Sequence, residues 1–250
     1  MKIIASYSIK GGVGKTALAV NLAYALSQAG QRTLLVDLDP QCASAFYFRV
    51  SPAKKFQKTK SSSKLADRLR NNIRESDYPN LDILPSNLAY RNFDIMLNGM
   101  KKSRKQLHKL LDTLADDYDV AVLDCPPNIT LLSENVFRAA DAILVPVIPT
   151  TLSRRTYEQL EEFFVKKNLP HKSLVPFFSM VQRQNSMHRL HMEMMRKEYP
   201  AFLNTVIPFS VDVERMGLHR KPVLSFASTR AAGQAYRDLC NEILVKVASA

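Results

Sequence analysis

The sequence predicts an α/β fold, a doubly wound, mostly parallel sheet with helices on both faces. Three observations carry that prediction. Apolar, β-branched runs of strand length recur at 2–9, 81–86, 118–127, 142–149, 173–181 and 204–209. Helical stretches at 104–115, 130–139, 154–167 and 186–198 separate them. The run RTLLVDLD has the unbroken apolar character of a parallel strand buried on both faces.

Taken in order, KIIASYSI (2–9) reads as a strand and runs into a glycine cluster. TALAVNLAYALSQAG follows as a helix, with Leu18, Leu22, Ala25 and Leu26 at helical spacing and a stop at Gly30. RTLLVDLD then ends in Asp37 and Asp39, completing a βαβ unit for which a right-handed crossover is expected. The alternation continues to a closing helix over 231–247, with Tyr236, Leu239, Cys240, Ile243, Leu244 and Val247 on one face. With no internal repeat or linker, residues 1–250 are expected to form one domain. Segment 51–74 departs from this rhythm: Lys54, Lys55, Lys58, Lys60, Lys64, Arg68, Arg70 and Arg74 stand against Asp67 alone. Its first half reads as a mobile basic loop, and a solvated surface excursion is the ordinary meaning of such a run.

Composition excludes several classes. At 250 residues and 46% hydrophobic, the chain can bury a full core and is not a disordered polymer. Lys+Arg 35 against Asp+Glu 23 gives a formal charge of +12, which calls for a polyanionic partner such as nucleic acid or an acidic membrane surface. Cys42, Cys125 and Cys240 form neither a disulfide framework nor a CxxC pair, so a reducing compartment is expected. No apolar run reaches membrane-span length, and Met1 leads straight into a strand without a signal-peptide layout. A soluble, cytoplasmic protein is the expectation.

The strongest motif is IKGGVGKTA at 9–17. The phosphate-loop template G-x-x-x-x-G-K-[ST] would place a glycine at position 9, which is Ile9; instead Lys10 precedes Gly11 and Gly12. The physics survives in this deviant form, K-G-G-x-G-K-T. Gly11, Gly12 and Gly14 let backbone N–H groups, including those of Val13 and Ala17, converge on phosphate oxygens. Lys15 neutralises the β- and γ-phosphates, and the Thr16 hydroxyl is placed to ligate Mg²⁺ at the start of the helix. A bare glycine-rich turn would not also need a strand before it, Lys-Thr after it and a helix beyond.

Asp124, at the end of YDVAVLD, is placed as the Mg²⁺-holding carboxylate of phosphoryl transfer. Asp37 and Asp39 end the neighbouring strand and alternate onto one side, where a carboxylate can orient an attacking water. A lone aspartate at a strand end is as readily a helix cap; three beside a phosphate loop point to chemistry.

On KGGVGKT (10–16), LLVDLDPQ (34–41), YDVAVLDCPP (118–127), ILVPVIPT (143–150), VIPFSVDVE (206–214) and KPV (221–223), the sequence resembles the ParA family of partition ATPases. That family sits within the deviant-Walker-A group that also includes MinD and the nitrogenase iron protein. The resemblance implies that Lys10 is the signature lysine reaching across a nucleotide-sandwich dimer, and that Lys15 and Thr16 are the Walker-A pair. It further implies that Asp37 and Asp39 are the Walker-A′ pair, with Asp37 a metal-site residue alongside Thr16 and Asp124, and Asp39 the better choice for the catalytic water. Asp124 is the Walker-B residue, and Pro208 and Phe209 lie where relatives contact adenine. It implies ATP and Mg²⁺ as ligands, and a slow, partner-stimulated ATPase. ATP would make a homodimer that binds double-stranded DNA without sequence preference on the nucleoid, and a ParB-like or cargo-adaptor protein would trigger hydrolysis, positioning a plasmid, a chromosome region or a protein organelle.

The sequence departs from the pattern in places. Ala17 replaces a frequent second threonine, Cys42 stands where DPQG has glycine, and Asp212 and Glu214 occupy a stretch where relatives place a DNA-contacting arginine. DNA binding would then fall to Arg154, Arg155, Lys166, Lys167, Arg183, Arg189, Arg220 and Lys221, each of which alone reads as an ordinary surface charge. A MinD-like membrane switch is the alternative; it needs a terminal amphipathic helix, whereas NEILVKVASA reads as the edge of a core helix. An iron–sulfur ATPase would need a second cysteine to match Cys125, and Lys10 argues against a simple small-molecule kinase. Met187, Met192, Met194 and Met195 read as helix core before partner surface. His108, His171, His188, His191 and His219 have no metal-ligand spacing.

Overall fold

The apolar, β-branched runs become strands, with Pro146 and Pro176 accommodated inside two of them, and the computed structural model describes residues 1–51, 62–86 and 103–248. The strands are β1 (Lys2–Ser6), β2 (Thr33–Asp37), β3 (Arg74–Glu75), β4 (Leu81–Leu84), β5 (Val120–Asp124), β6 (Ala142–Val147), β7 (Leu174–Val181) and β8 (Val206–Pro208). Among the described residues they form one sheet in the order β3-β4-β2-β5-β1-β6-β7-β8. Every neighbouring pair is parallel except β3 with β4.

The helices are α1 (Lys15–Gln28), α2 (Ala43–Tyr47), α3 (Ser62–Asn72), α4 (Gln106–Asp112), α5 (Leu131–Ala139), α6 (Thr151–Lys166), α7 (Ser186–Glu198), α8 (Val211–His219), α9 (Val223–Phe226) and α10 (Ala231–Ala248). They cover both faces, as the doubly wound expectation requires. On one face Leu18, Leu22 and Leu26 of α1 meet Leu239 and Ile243 of α10 over the sheet. On the other, Leu107, Leu110, Phe137, Leu160 and Phe164 of α4, α5 and α6 build a second core. Phe137 is its hub, edge-on to Tyr7 at 4.7 Å and tilted against Phe164 at 4.9 Å between ring centres. Asn21 of α1 is fully buried; its side-chain carbonyl accepts the Leu224 N–H at 3.2 Å, tying α9 to α1.

The strands and long helices lie where the sequence places them, with ends that differ by up to three residues: β5 keeps 120–124 of the expected 118–127, α4 keeps 106–112 of 104–115, and α6 starts at Thr151 instead of 154. Four short or irregular elements, α2, α8, α9 and the antiparallel edge β3, have no periodicity long enough to read. In the basic segment, Lys54, Lys55, Lys58 and Lys60 lie outside the described residues, as does the Lys64 side chain. Its second half folds as α3, with Leu65 and Leu69 one turn apart and buried. The methionines of α7 divide. Met195 is buried, but Met187 and Met194 face outward, since only one side of α7 meets the core.

Candidate nucleotide and metal site

β1 is the central strand, flanked by β5 and β6, so the chain crosses from one half of the sheet to the other at its C-terminal end. Parallel α/β sheets bind ligands at such a point. The 10–16 loop springs from that end and closes onto α1. Gly12 and Gly14 there take φ of 70° and 96°, left-handed values that side chains resist. Gly14 is also tightly packed: a Cβ there would sit 3.2 Å from the Ser179 hydroxyl of β7, which would have to give by a few tenths of an ångström. That hydroxyl donates to the Val13 carbonyl at 2.9 Å, and Ser6 Oγ donates to the Lys15 carbonyl at 2.9 Å. Two strand-end serines thus brace the loop from both sides. Neither belongs to a motif that a sequence template would register.

Lys15 is buried, and its Nζ donates to the Lys10 carbonyl at 3.3 Å across the loop. Burial lowers its pKa, and the nearby Asp124 and Asp39 carboxylates oppose that shift. Thr16 follows at the first turn of α1, and Ala17 beside it is half-buried. The Lys10 ammonium donates to Ser153 Oγ at 3.0 Å, so in the single chain it rests against the first turn of α6.

Register pairing sets the carboxylates together: Asp124 on β5 stands opposite both Ser6 of β1 and Asp37 of β2. Both Asp37 and Asp124 are fully buried. Asp37 Oδ1 accepts the Asp39 N–H at 3.1 Å, and its Oδ2 accepts the N–H groups of Ser44 and Ala45 at 3.1 and 3.3 Å. Both oxygens are therefore engaged in folding the loop back and capping α2. Burial and the neighbouring Asp124 charge raise its pKa.

Asp124 is held differently. Its Oδ2 accepts the Ser44 hydroxyl at 2.6 Å, while its Oδ1 is buried with no hydrogen-bond partner. Burial pushes its pKa up to about 6, against the pull of the Ser44 and Thr16 hydroxyls. A buried carboxylate oxygen left open beside a threonine hydroxyl is a hard-oxygen donor set that fits Mg²⁺, an ion that takes one or two protein oxygens and completes its shell with phosphate and water. Asp39 is half-exposed, its Oδ1 accepting the Gln41 N–H at 2.9 Å. Cys42 has φ 53° and ψ 36°, so the loop turns through the left-handed conformation although no glycine is there.

Pro208 ends β8 opposite Val181 of β7, and Phe209 follows it at the C-terminal end of the sheet. The Phe209 N–H donates to the Val181 carbonyl at 3.0 Å, and the residue is 51% exposed.

The eight predicted DNA-contact cations are not brought to one surface. Arg154 and Arg155 stand near the start of α6 and Lys166 and Lys167 at its other end, roughly 18 Å away at 1.5 Å per residue. Arg183 and Arg189 lie before and on α7. Arg220 and Lys221 join α8 to α9, whose Met216 and Val223 pack into the opposite core. Several are engaged: Arg154 contacts Glu158 and Glu198, Lys167 contacts Glu134, and Arg220 sits 4.6 Å from the Phe46 ring centre. Asp212 is taken by Arg215 and Arg230. Among the described residues no group of three or more His, Cys, Asp and Glu could hold a metal, and no helix is long and apolar enough to cross a membrane.

A family model described as an AAA domain matches residues 1–173. The chain is 30% identical to the virulence plasmid ParA family protein pGP5-D of Chlamydia psittaci, over 100% of this chain and 96% of that one. It is 28% identical to the sporulation initiation inhibitor protein Soj of Bacillus subtilis, over 97% and 98% of the two chains. Among solved structures, a plasmid partition protein from Borrelia burgdorferi bound to AMPPNP matches with a TM-score of 0.83 at 26% identity, covering 98% of this chain and 99% of that one.

Proposed function

The chain belongs to the ParA family of P-loop ATPases, and from that membership we propose that residues 1–250 form one ATP-driven positioning switch. ATP brings two copies together, and the dimer binds double-stranded DNA without sequence preference. A ParB-like or cargo-adaptor partner then stimulates slow hydrolysis to ADP and phosphate, and the protein leaves the nucleoid. The observation that carries this reading is the 10–16 loop itself. It presents two lysines with different surroundings, Lys15 buried facing the carboxylates and Lys10 resting on the rim.

The roles follow from those surroundings. The loop N–H groups from Gly11 to Ala17 and the Lys15 ammonium bind the phosphates. Thr16 and Asp124 hold Mg²⁺, with Asp37 shaping the loop beside them; the ion neutralises charge on the phosphates. Asp39, at the half-exposed loop after β2, orients the attacking water. Pro208 and Phe209 flank the base. Lys10 is held by one hydroxyl at the positive end of a helix, a weak rest for an ammonium, so its transfer to a partner's phosphates is inexpensive.

The test is binding to a random-sequence duplex with ATP, ADP or no nucleotide across a salt series, with mass in solution measured in parallel. ATP-dependent dimerisation and salt-sensitive binding indifferent to sequence support the reading. A protein that hydrolyses ATP but binds no duplex in any nucleotide state overturns it. The alternative of a MinD-like membrane switch finds no support in α10, because Tyr236, Leu239, Cys240 and Ile243 are spent in the core.

A further inference from the structure

The cations that converge are not those at the sheet's ligand-binding edge or on α7. Arg104, Lys105 and Lys109, on α4 and the single turn before it, line with Ser103 and Arg138 of α5 an open cleft of about 520 Å³. Lys105 and Lys109 are four residues apart, one turn or roughly 6 Å along the helix. The rim is rigid, because Asn135 of α5 is buried and clamps the start of α4. Its side-chain carbonyl accepts the Gln106 and Leu107 N–H groups at 3.0 and 3.2 Å, and its amide donates to the Ser103 carbonyl at 2.9 Å.

Glu134 is the carboxylate at this rim, and it is shared. Arg104 reaches one of its oxygens at 3.0 Å and Lys167 the other at 3.1 Å. Lys105, Lys109 and Arg138 make no ion pair among the described residues, and all three are exposed. Four cations line the cleft with no carboxylate among its lining residues, and the Glu134 that Arg104 shares with Lys167 leaves a surplus that a polyanion would neutralise.

We infer that this α4–α5 cleft is where duplex DNA is held, by its phosphates. The inference rests on the DNA-binding reading above and gives it a surface. The described lining carries no aromatic ring on which an unpaired base could stack and no apolar wedge to enter a bilayer. An open cationic rim of that kind reads phosphate and not base edges, which is what sequence-indifferent binding requires. It lies on the helix layer opposite α1 and α10, built on the core that contains Leu107, Leu110 and Phe137.

The experiment is the salt dependence of binding to a labelled random-sequence duplex with ATP and Mg²⁺. It compares the parent, the triple variant Lys105→Gln/Lys109→Gln/Arg138→Gln, and a charge-matched control at exposed cations elsewhere, Lys2→Gln/Lys197→Gln/Arg237→Gln. Retention of fluorescent ATP analogue binding verifies that each variant is folded. The cleft variant is expected to lose more than tenfold in affinity and to flatten the slope of log K against log salt by about 2 to 3, at roughly 0.9 for each phosphate no longer neutralised. The control is expected to lose far less. Equal losses in both variants would mean that net charge and not the cleft governs binding, and an unchanged cleft variant would refute the site while leaving DNA binding intact. If the parent binds no duplex, the underlying reading fails and the cleft assignment falls with it.

Discussion

Ser44 donates its hydroxyl to Asp124 Oδ2 at 2.6 Å across eighty residues of sequence, while its own backbone N–H donates to Asp37. One small, fully buried residue at the start of α2 therefore touches both buried carboxylates of the site. By occupying Oδ2 it leaves Oδ1 as the buried oxygen without a hydrogen-bond partner. Ser44 is a positioning residue: it acts through Asp124.

Ser44→Ala is expected to weaken Mg²⁺ about tenfold, the value of one hydrogen bond to a charged group at about 1.5 kcal/mol. Titrating Mg²⁺ into the complex with a fluorescent ATP analogue reads this directly. Binding of the analogue in excess Mg²⁺ stays near the parent value, and Ser44→Thr restores the Mg²⁺ affinity. An unchanged Mg²⁺ midpoint in Ser44→Ala would show that Asp124 needs no such anchor.

Lys10→Ala is expected to bind nucleotide yet remain monomeric with ATP, as light scattering would show; a dimer like the parent's would refute the sandwich role. Lys15→Ala should abolish nucleotide binding or hydrolysis altogether. The two lysines are thus separable by pairing a binding assay with a mass measurement.

Asp39→Ala should cut hydrolysis by about 10² or more, in the range lost with a positioned catalytic group, and leave an ATP-bound dimer that does not dissociate. Single-turnover phosphate release, with dimer lifetime followed alongside, separates this from a failure to bind.

Asp124 also predicts a pH dependence. Its folded pKa of about 6 lies above the usual aspartate value, so the nucleotide-free fold binds the extra proton. The associated stability is fully present below about pH 4 and is lost as pH rises through about 6. Asp124→Asn should raise the thermal midpoint at pH 7.5 by several degrees and flatten its slope between pH 4 and 6. Added Mg²⁺ and nucleotide should then stabilise the parent far more than the variant.

Cys42 has a left-handed backbone that costs a side chain about 1 kcal/mol. Cys42→Gly should stabilise the protein by about 0.5 kcal/mol once the freer unfolded chain is counted, and Cys42→Ala should not. Urea unfolding of the two variants distinguishes them.

The sheet and its long helices were legible because each is a contiguous run whose period of burial is written along the chain. Leu18, Leu22 and Leu26 announce α1 without reference to any other element, and all three are buried. The phosphate loop was legible for a similar reason: glycine, lysine and threonine need only a fixed local spacing to meet a phosphate. The resemblance added the order of the remaining blocks.

What the chain could not declare by itself was which polar groups find one another. Ser44 has no motif, and its meeting with Asp124 exists only because β2 and β5 lie side by side in register. Arg154 reads as a free surface charge until Glu158 and Glu198 take hold of it. Lys105, Lys109 and Arg138 become a patch only when Asn135 clamps α4 onto α5. Hydrophobic periodicity and loop chemistry are short-range in sequence and so determined the fold class and the nucleotide loop. Hydrogen bonds and ion pairs act over about 3 Å in space regardless of separation along the chain, and only the tertiary structure decided those.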